Sequence, residues 1–183
     1  MNPSEERLLR IVQAIDRFTE ISGFFVAWLV VPILGAMVYE VVARYAFGAP
    51  TIWAFEISYM FYGALFMLGT AYALRKGAHI RTDLFWHKFS NRTKGWIDLI
   101  AYLVFLFPGV IMVLWVGYEE AVYAYEIMER SEQTAWRPVM WPFKAAVPVS
   151  AALLLIQGVS EVIKAWHAIR TGELLTPAEE IQV

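Results

Sequence analysis

The sequence contains no cysteine, and only 17% of its 183 residues are charged. The absence of cysteine excludes disulfide bonds, thiolate metal ligands and cysteine nucleophiles. The chain is 59% hydrophobic, with a mean hydropathy of +0.50, whereas soluble domains are about 45–50% apolar and about 25% charged. A formal net charge of −2 leaves no basic face for nucleic acid. The composition therefore favours a protein that lies in lipid.

Four apolar runs are long enough to cross a membrane, which takes about 20 predominantly apolar residues in a helix. We predict an all-α membrane protein with four transmembrane helices in two hairpins. The predicted spans cover about residues 21–43, 53–74, 97–119 and 144–166. Pro32 and Pro108 lie inside spans and are expected to bend them. Small residues at Gly35, Gly63 and Gly158 are expected to allow close helix packing.

The first 20 residues have a different pattern, in which apolar residues recur at helical spacing between charged ones. The apolar positions are Leu8, Ile11, Val12, Ile15 and Phe18. This pattern predicts an amphipathic helix lying in the membrane interface. The alternative is a helical extension packed on a partner. Residues 167–183 are predicted to form a cytoplasmic tail.

Lys and Arg are distributed unequally between the two sides of this topology. The N-terminus has three, the connection between the second and third spans has six, and the C-terminus has two, which leaves four for the other side. Because Lys and Arg collect on the cytoplasmic side, we predict that both termini are cytoplasmic. Residues 47–51 and 128–141 then form the periplasmic connections.

No cofactor or metal site is visible in the sequence. A haem-binding bundle needs paired histidines in its core, whereas His79, His87 and His167 lie at or beyond span ends. We therefore predict that the chain holds no cofactor and is not an enzyme.

Polar residues near the spans have both structural and functional interpretations. Arg44 follows Glu40 by four residues and lies across a short turn from Glu56, so we predict that Arg44 pairs with one or both acids and clamps the first hairpin. The alternative is a coupling-ion site, because carboxylates inside membranes mark ion paths. Gln157 lies near the centre of the fourth span, and its amide is expected to bond to another helix, with ligand contact as the alternative.

Two further features remain open. His79 and Asp83 are four residues apart, which predicts a hydrogen-bonded pair that shapes the central loop, with a proton relay as the alternative. Acidic side chains dominate the second periplasmic connection and the end of the third helix, which indicates either a docking surface for a soluble partner or a solvated helix end. These acidic residues are Glu119, Glu120, Glu126, Glu129 and Glu132.

Four pieces of the sequence resemble one known family. They are residues 44–47 (RYAF), residues 53–56 (WAFE), residues 69–83 (GTAYALRKGAHIRTD), and residues 131–136 (SEQTAW) with Trp141, Pro142 and Pro148. The chain resembles the small membrane subunit of tripartite ATP-independent periplasmic (TRAP) transporters, the DctQ family. The piece that contains His79 and Asp83 is the most specific of the four.

The resemblance implies a bacterial inner-membrane protein that joins a much larger multi-span subunit. That partner would carry the Na⁺ and substrate sites and move as an elevator, while this chain widens the fixed scaffold. A periplasmic binding protein would deliver an organic acid for sodium symport. The resemblance carries no ion- or substrate-binding residue over to this chain. The alternatives are a self-sufficient four-helix transporter, which would need a carboxylate at mid-membrane, and a redox-complex anchor, which would need core histidines.

The topology can be tested directly because the native chain has no cysteine. Asn91→Cys should resist a membrane-impermeant thiol reagent in intact cells and react once the membrane is opened, because it lies in the positively charged connection. Ala49→Cys, in the opposite connection, is the control that should react from outside. Labelling of Asn91→Cys from outside would overturn the orientation.

Overall fold

The computed structural model describes residues 3–77 and 89–175, most of which are helical. The α-helices among them are α1 (Pro3–Ala27), α2 (Val30–Phe47), α3 (Ala54–Leu68), α4 (Thr70–Arg75), α5 (Asn91–Ile100), α6 (Phe107–Glu126) and α7 (Trp141–Thr171). A π-helical segment, Ala101–Leu106, joins α5 to α6. These residues include no β-strand, and an isolated antiparallel bridge joins Arg130 to Val139.

Four helical stretches are long and apolar enough to cross a membrane, which confirms the predicted all-α fold with four spans. The first to fourth spans are Glu5–Phe47, Ala54–Arg75, Asn91–Glu126 and Trp141–Thr171. The first three are composite, because α1 and α2, α3 and α4, and α5 and α6 follow one another with short interruptions.

The N-terminal residues form a helix that is longer than the predicted segment of residues 1–20. Helix α1 continues through residue 20 and ends at Ala27, so the predicted boundary is not a helix end. Val12 is buried on α1, while Ile11 and Phe18 from the predicted apolar face are exposed. The packed face of α1 also includes the polar residue Thr19, whose hydroxyl bonds to Gln157 of the fourth span. A position in the membrane interface stays a prediction.

Both predicted proline bends coincide with helix irregularities. Pro32 lies in the first turn of α2, where its ring would clash with the carbonyl of residue 28 in a continuous helix. The break before it is closed by bonds between residues three apart, such as Leu29 N–H to the Val26 carbonyl at 3.0 Å. Pro108 follows the π-helical segment, whose wider turn lets Phe107 N–H bond to the Tyr102 carbonyl.

The chain divides into two compact units, and each span contributes residues to both. Unit one comprises the described parts of Met1–Ser22, Thr70–Met112 and Ala151–Val183, and unit two comprises Gly23–Gly69 and Val113–Ser150. Eight of the eleven buried apolar side chains among the described residues are alanines. Helices in lipid associate through small residues that allow close approach, so both cores are of the type expected for a membrane protein.

Glycine also permits close contacts in each unit. In unit two, a Cβ at Gly63 would lie 2.6 Å from the Phe143 ring. In unit one, a Cβ at Gly158 would lie 3.4 Å from Leu106, whereas one at Gly95 would lie 2.8 Å from the Ala165 carbonyl oxygen. A Cβ at Gly35 would have no neighbour within 4 Å among the described residues, so the close approach predicted there is not seen in this part of the chain. Gly95 was not singled out in the sequence, because it follows the polar start of α5.

Gly95→Ala should destabilise the protein by about 1–3 kcal/mol, because its Cβ would meet backbone that cannot rotate away. Gly35→Ala is the matched control, and should be neutral or stabilising by up to about 1 kcal/mol, because it lies in open space within a helix. The measurement is the apparent melting temperature in detergent. Equal melting temperatures for the two variants would contradict the tight packing of α5 against α7.

Candidate functional site

Gln157 is fully buried within the fourth span. Its Oε1 accepts a 2.7 Å hydrogen bond from Oγ1 of Thr19 on α1. Its Nε2 donates to Oδ1 of Asp16 and to Oε1 of Glu161, both at 3.0 Å. The amide thus uses its acceptor and its donor group, and two of the three bonds cross from α7 to α1. Such interhelical bonds satisfy an amide that has no water around it.

Asp16 extends this contact to the charged residues of α7. Its Oδ1 also accepts a 2.7 Å bond from Ser160 Oγ, and its Oδ2 lies 2.8 Å from Lys164 Nζ. Lys164 Nζ lies 2.9 Å from Glu161 Oε1 as well. All three charged side chains are less than a fifth exposed, and one ammonium group contacts both largely buried carboxylates. Neutral donors of Gln157 and Ser160 supply further bonds to Asp16 Oδ1 and Glu161 Oε1. We call Asp16, Thr19, Gln157, Ser160, Glu161 and Lys164 the Gln157 network.

Most of the Gln157 network went unrecognised in the sequence, although a signal was present. Residues 157, 160, 161 and 164 follow the i, i+3, i+4, i+7 spacing that places side chains on one face of a helix. Asp16 and Thr19, three residues apart, form a similar polar pair on α1. A polar stripe on a membrane helix indicates a polar interface with another helix. Gln157 considered by itself does not reveal this stripe.

A second cluster closes the first hairpin. Arg44 Nε donates a 2.8 Å bond to Oε1 of Glu40, which Arg44 Nη2 also contacts. The other oxygen of Glu40 accepts a 2.8 Å bond from the Thr51 N–H, as well as a bond from the Thr51 hydroxyl. Gly48 ends α2 in the left-handed region at φ 62°. Of the two acids considered for Arg44, the structure pairs it with Glu40, and Glu40 joins α2 to the turn before α3.

Glu56 makes a different set of contacts. It is fully buried in the first turn of α3, and its Oε1 accepts a 2.6 Å bond from Ser131 Oγ and a 3.1 Å bond from Thr134 Oγ1. Both hydroxyls belong to the connection between α6 and α7. Glu56 therefore contacts the second predicted periplasmic connection instead of Arg44. No spacing in the sequence could indicate this contact, since 75 residues separate Glu56 from Ser131.

Residues 127–140, which we call the 127–140 loop, have a defined backbone structure. In addition to the bridge between Arg130 and Val139, the Ser131 N–H donates to the Pro138 carbonyl and the Met140 N–H donates to the Glu129 carbonyl, both at 2.9 Å. A cavity of about 250 Å³ borders the loop. The loop is thus an ordered element with its own backbone hydrogen bonds.

Lys144 pairs with two of the acidic residues predicted to line the outer surface. Its Nζ lies 2.6 Å from Glu129 Oε2 and 3.2 Å from Glu120 Oε2. The side chains of the other three acidic residues are exposed, namely Glu119, Glu126 and Glu132. Less free negative charge is therefore available for docking than the sequence alone indicated.

A comparison with known protein families matches residues 33–168 to the family described as "Tripartite ATP-independent periplasmic transporters, DctQ component". This match covers well over half of the chain. The chain belongs to the DctQ family. No curated protein and no solved structure gave a match. The protein is accordingly a multi-pass membrane component of a tripartite transporter. Members of this family are non-enzymatic transport components.

Within residues 3–77 and 89–175, no group of three or more His, Asp or Glu side chains could hold a metal ion. His79 and Asp83 lie outside the described residues, so both interpretations of that pair stay predictions. Gln157 is described, and its amide bonds to side chains of the chain itself.

Gln157→Leu should destabilise the subunit by on the order of 2 kcal/mol, because two interhelical bonds of about 0.6–2 kcal/mol each are lost and Asp16 loses a donor. Gln13→Leu makes the same chemical change at an exposed position of α1 and should leave stability within about 0.5 kcal/mol. The apparent melting temperature in detergent measures both effects. A Gln157→Leu variant as stable as Gln13→Leu would show that the network does not hold α1 to α7.

Proposed function

We propose that this chain is the small permease subunit of a TRAP transporter and forms part of the static scaffold for a large elevator-type subunit. The complex would take up an organic acid by sodium symport, with a periplasmic binding protein delivering the substrate. Na⁺ would bind in the large subunit. Membership of the DctQ family supports the transporter role, and the arrangement of polar and apolar side chains supports the scaffold role.

The observation that carries the scaffold role is how the buried polar groups are used. Asp16 and Glu161 each bond to Gln157 and to Lys164, and Glu40 bonds to Arg44 and Thr51. An ion-coupling site needs carboxylates that can exchange partners for the ion. Bonds that tie one helix to another instead favour a rigid body.

Large apolar side chains face outward along the spans, which supports a position against lipid and another membrane subunit. Examples from the first three spans are Phe25, Phe66, Phe105 and Trp115, each more than 60% exposed. An elevator needs a fixed wall against which its mobile domain can move. A subunit in which the Gln157 network and Glu40 bond internally, while large apolar groups face outward, suits such a wall.

The orientation of the proposed scaffold follows from the charge distribution. Both termini would lie in the cytoplasm of a bacterial cell, with the subunit in the inner membrane. The 127–140 loop would then face the periplasm, where the binding protein arrives. The exposed acidic residues Glu119, Glu126 and Glu132 would contribute to the surface that the binding protein meets.

Reconstitution in liposomes with an inward sodium gradient tests this proposal. This chain alone, the large subunit alone, and both together would each be supplied with the binding protein and a radiolabelled organic acid that it retains. Uptake is expected only when both membrane subunits are present, and should stop when the gradient is collapsed. Sodium-driven uptake by this chain alone would refute the scaffold role, and full uptake by the large subunit alone would show that the scaffold is not required.

A further inference from the structure

Glu56 combines complete burial with incomplete hydrogen bonding. Its Oε1 accepts bonds from two hydroxyls, Ser131 Oγ at 2.6 Å and Thr134 Oγ1 at 3.1 Å. Its Oε2 is equally buried but has no hydrogen-bond partner among the residues that the structure describes. A carboxyl group enclosed in this way is costly, and a buried acid that serves only for packing could be replaced by an apolar residue. The bonds through Oε1 are therefore the property that distinguishes Glu56 from an apolar residue at this position.

The position of Glu56 in α3 offsets part of that cost. It is the third residue of the helix, which begins at Ala54. The free N–H groups at a helix N-terminus carry partial positive charge, so a carboxylate in the first turn is stabilised there. Thr51 Oγ1 accepts a 3.4 Å bond from the Ala54 N–H, which helps to hold this turn in place. Glu56 is thus held on a rigid helix end with its acceptor oxygen toward the loop.

Ser131 is the residue through which this anchor reaches the rest of the 127–140 loop. Its hydroxyl donates to Glu56 and accepts a 3.1 Å bond from the Gln133 N–H. Its backbone N–H bonds to the Pro138 carbonyl, and its carbonyl accepts a 3.4 Å bond from Arg137 Nε. One side chain on α3 therefore fixes a residue to which several parts of the loop are bonded.

The loop also has features that require such an anchor. Met128 and Arg137 have positive φ values of 49° and 48°, a conformation that is unfavourable for residues other than glycine. Ile127, Met128 and Trp136 expose between 42% and 54% of their surface. Exposed aromatic and Met side chains are enriched at protein interfaces. Loss of the anchor is expected to release this exposed surface from its single arrangement.

We propose that Glu56 is a positioning residue, which fixes the 127–140 loop from within unit two so that the loop presents one defined surface to the soluble binding protein. This inference rests on the proposed function, since it assigns the loop a partner in the uptake cycle. Glu56 itself contacts neither ion nor substrate. Its contribution is the acceptor oxygen for two hydroxyls, so an amide at this position can replace it.

The test uses the assembled transporter with a spin label on a single cysteine at Ala135, an exposed position of the loop. Glu56→Ala and the double variant Ser131→Ala/Thr134→Val should both increase label mobility, because the loss of two hydrogen bonds is worth roughly tenfold or more in an equilibrium. Both should also raise, by about tenfold, the concentration of binding protein that gives half-maximal uptake per assembled complex. The double variant addresses the same contact if Glu56→Ala does not assemble.

Two further variants serve as controls. Glu56→Gln keeps an acceptor for both hydroxyls and should keep mobility and half-saturation within about threefold of the native values. Ser58→Ala removes another buried polar atom from α3, one that has no hydrogen-bond partner in the described part of the chain. It should therefore change neither label mobility nor half-saturation. A second label at Ala49, in the connection between α2 and α3, should be insensitive to all of these variants.

Three results would overturn the proposal. They are unchanged label mobility in Glu56→Ala and in the double variant, increased mobility with unchanged half-saturation, and loss of uptake in Glu56→Gln while the loop stays ordered. The third result would assign the carboxylate a direct role with ions. If uptake by the native complex did not depend on the binding protein, the proposed function would fail, whereas the mobility measurements would still decide whether Glu56 positions the loop.

Discussion

In a membrane, every polar group of the chain must find its partner within protein, because hydrocarbon offers no hydrogen bonds. The four helical spans meet this constraint for most of the backbone. The helix irregularities before Pro32 and Pro108 show how backbone groups find hydrogen-bond partners where an ordinary helical turn cannot form. Backbone hydrogen bonds between residues three apart span the break before Pro32, and a π-helical segment precedes Pro108. The helices can therefore depart from regular α geometry at both prolines while nearby backbone N–H groups, such as those of Leu29 and Phe107, keep their hydrogen bonds.

The same constraint determines which side chains decide helix pairing. Lipid tails are as apolar as leucine, so the hydrophobic effect does not favour one helix neighbour over another. Small residues and polar contacts provide the specificity instead. Alanines fill the cores, Gly95 allows α5 to approach α7, and Asp16 bonds to Lys164 and Ser160. Large apolar side chains remain on the outside, as expected for a subunit surrounded by lipid and partners.

The polar clusters differ in how completely they are satisfied. Gln157 uses both ends of its amide, and Glu40 uses both carboxylate oxygens. Of these three residues, only Glu56 has a buried oxygen without a hydrogen-bond partner within residues 3–77 and 89–175. Fully satisfied networks make an interface rigid, which suits a scaffold. Burying the carboxyl group of Glu56 with one oxygen unpaired costs free energy. We propose that its bonds to the 127–140 loop are the physical reason for an acid at this position.

The sequence by itself determined the properties that depend on neighbours along the chain. Hydropathy gave the four spans, the Lys and Arg distribution gave a predicted orientation, local motifs gave the family, and a four-residue spacing indicated the Glu40–Arg44 pair. Only the tertiary structure decided contacts such as Glu56 with Ser131 and Asp16 with Lys164. The reason is that residues 75 or more positions apart meet only through helix packing, and packing depends on small residues and polar groups whose partners no periodicity identifies.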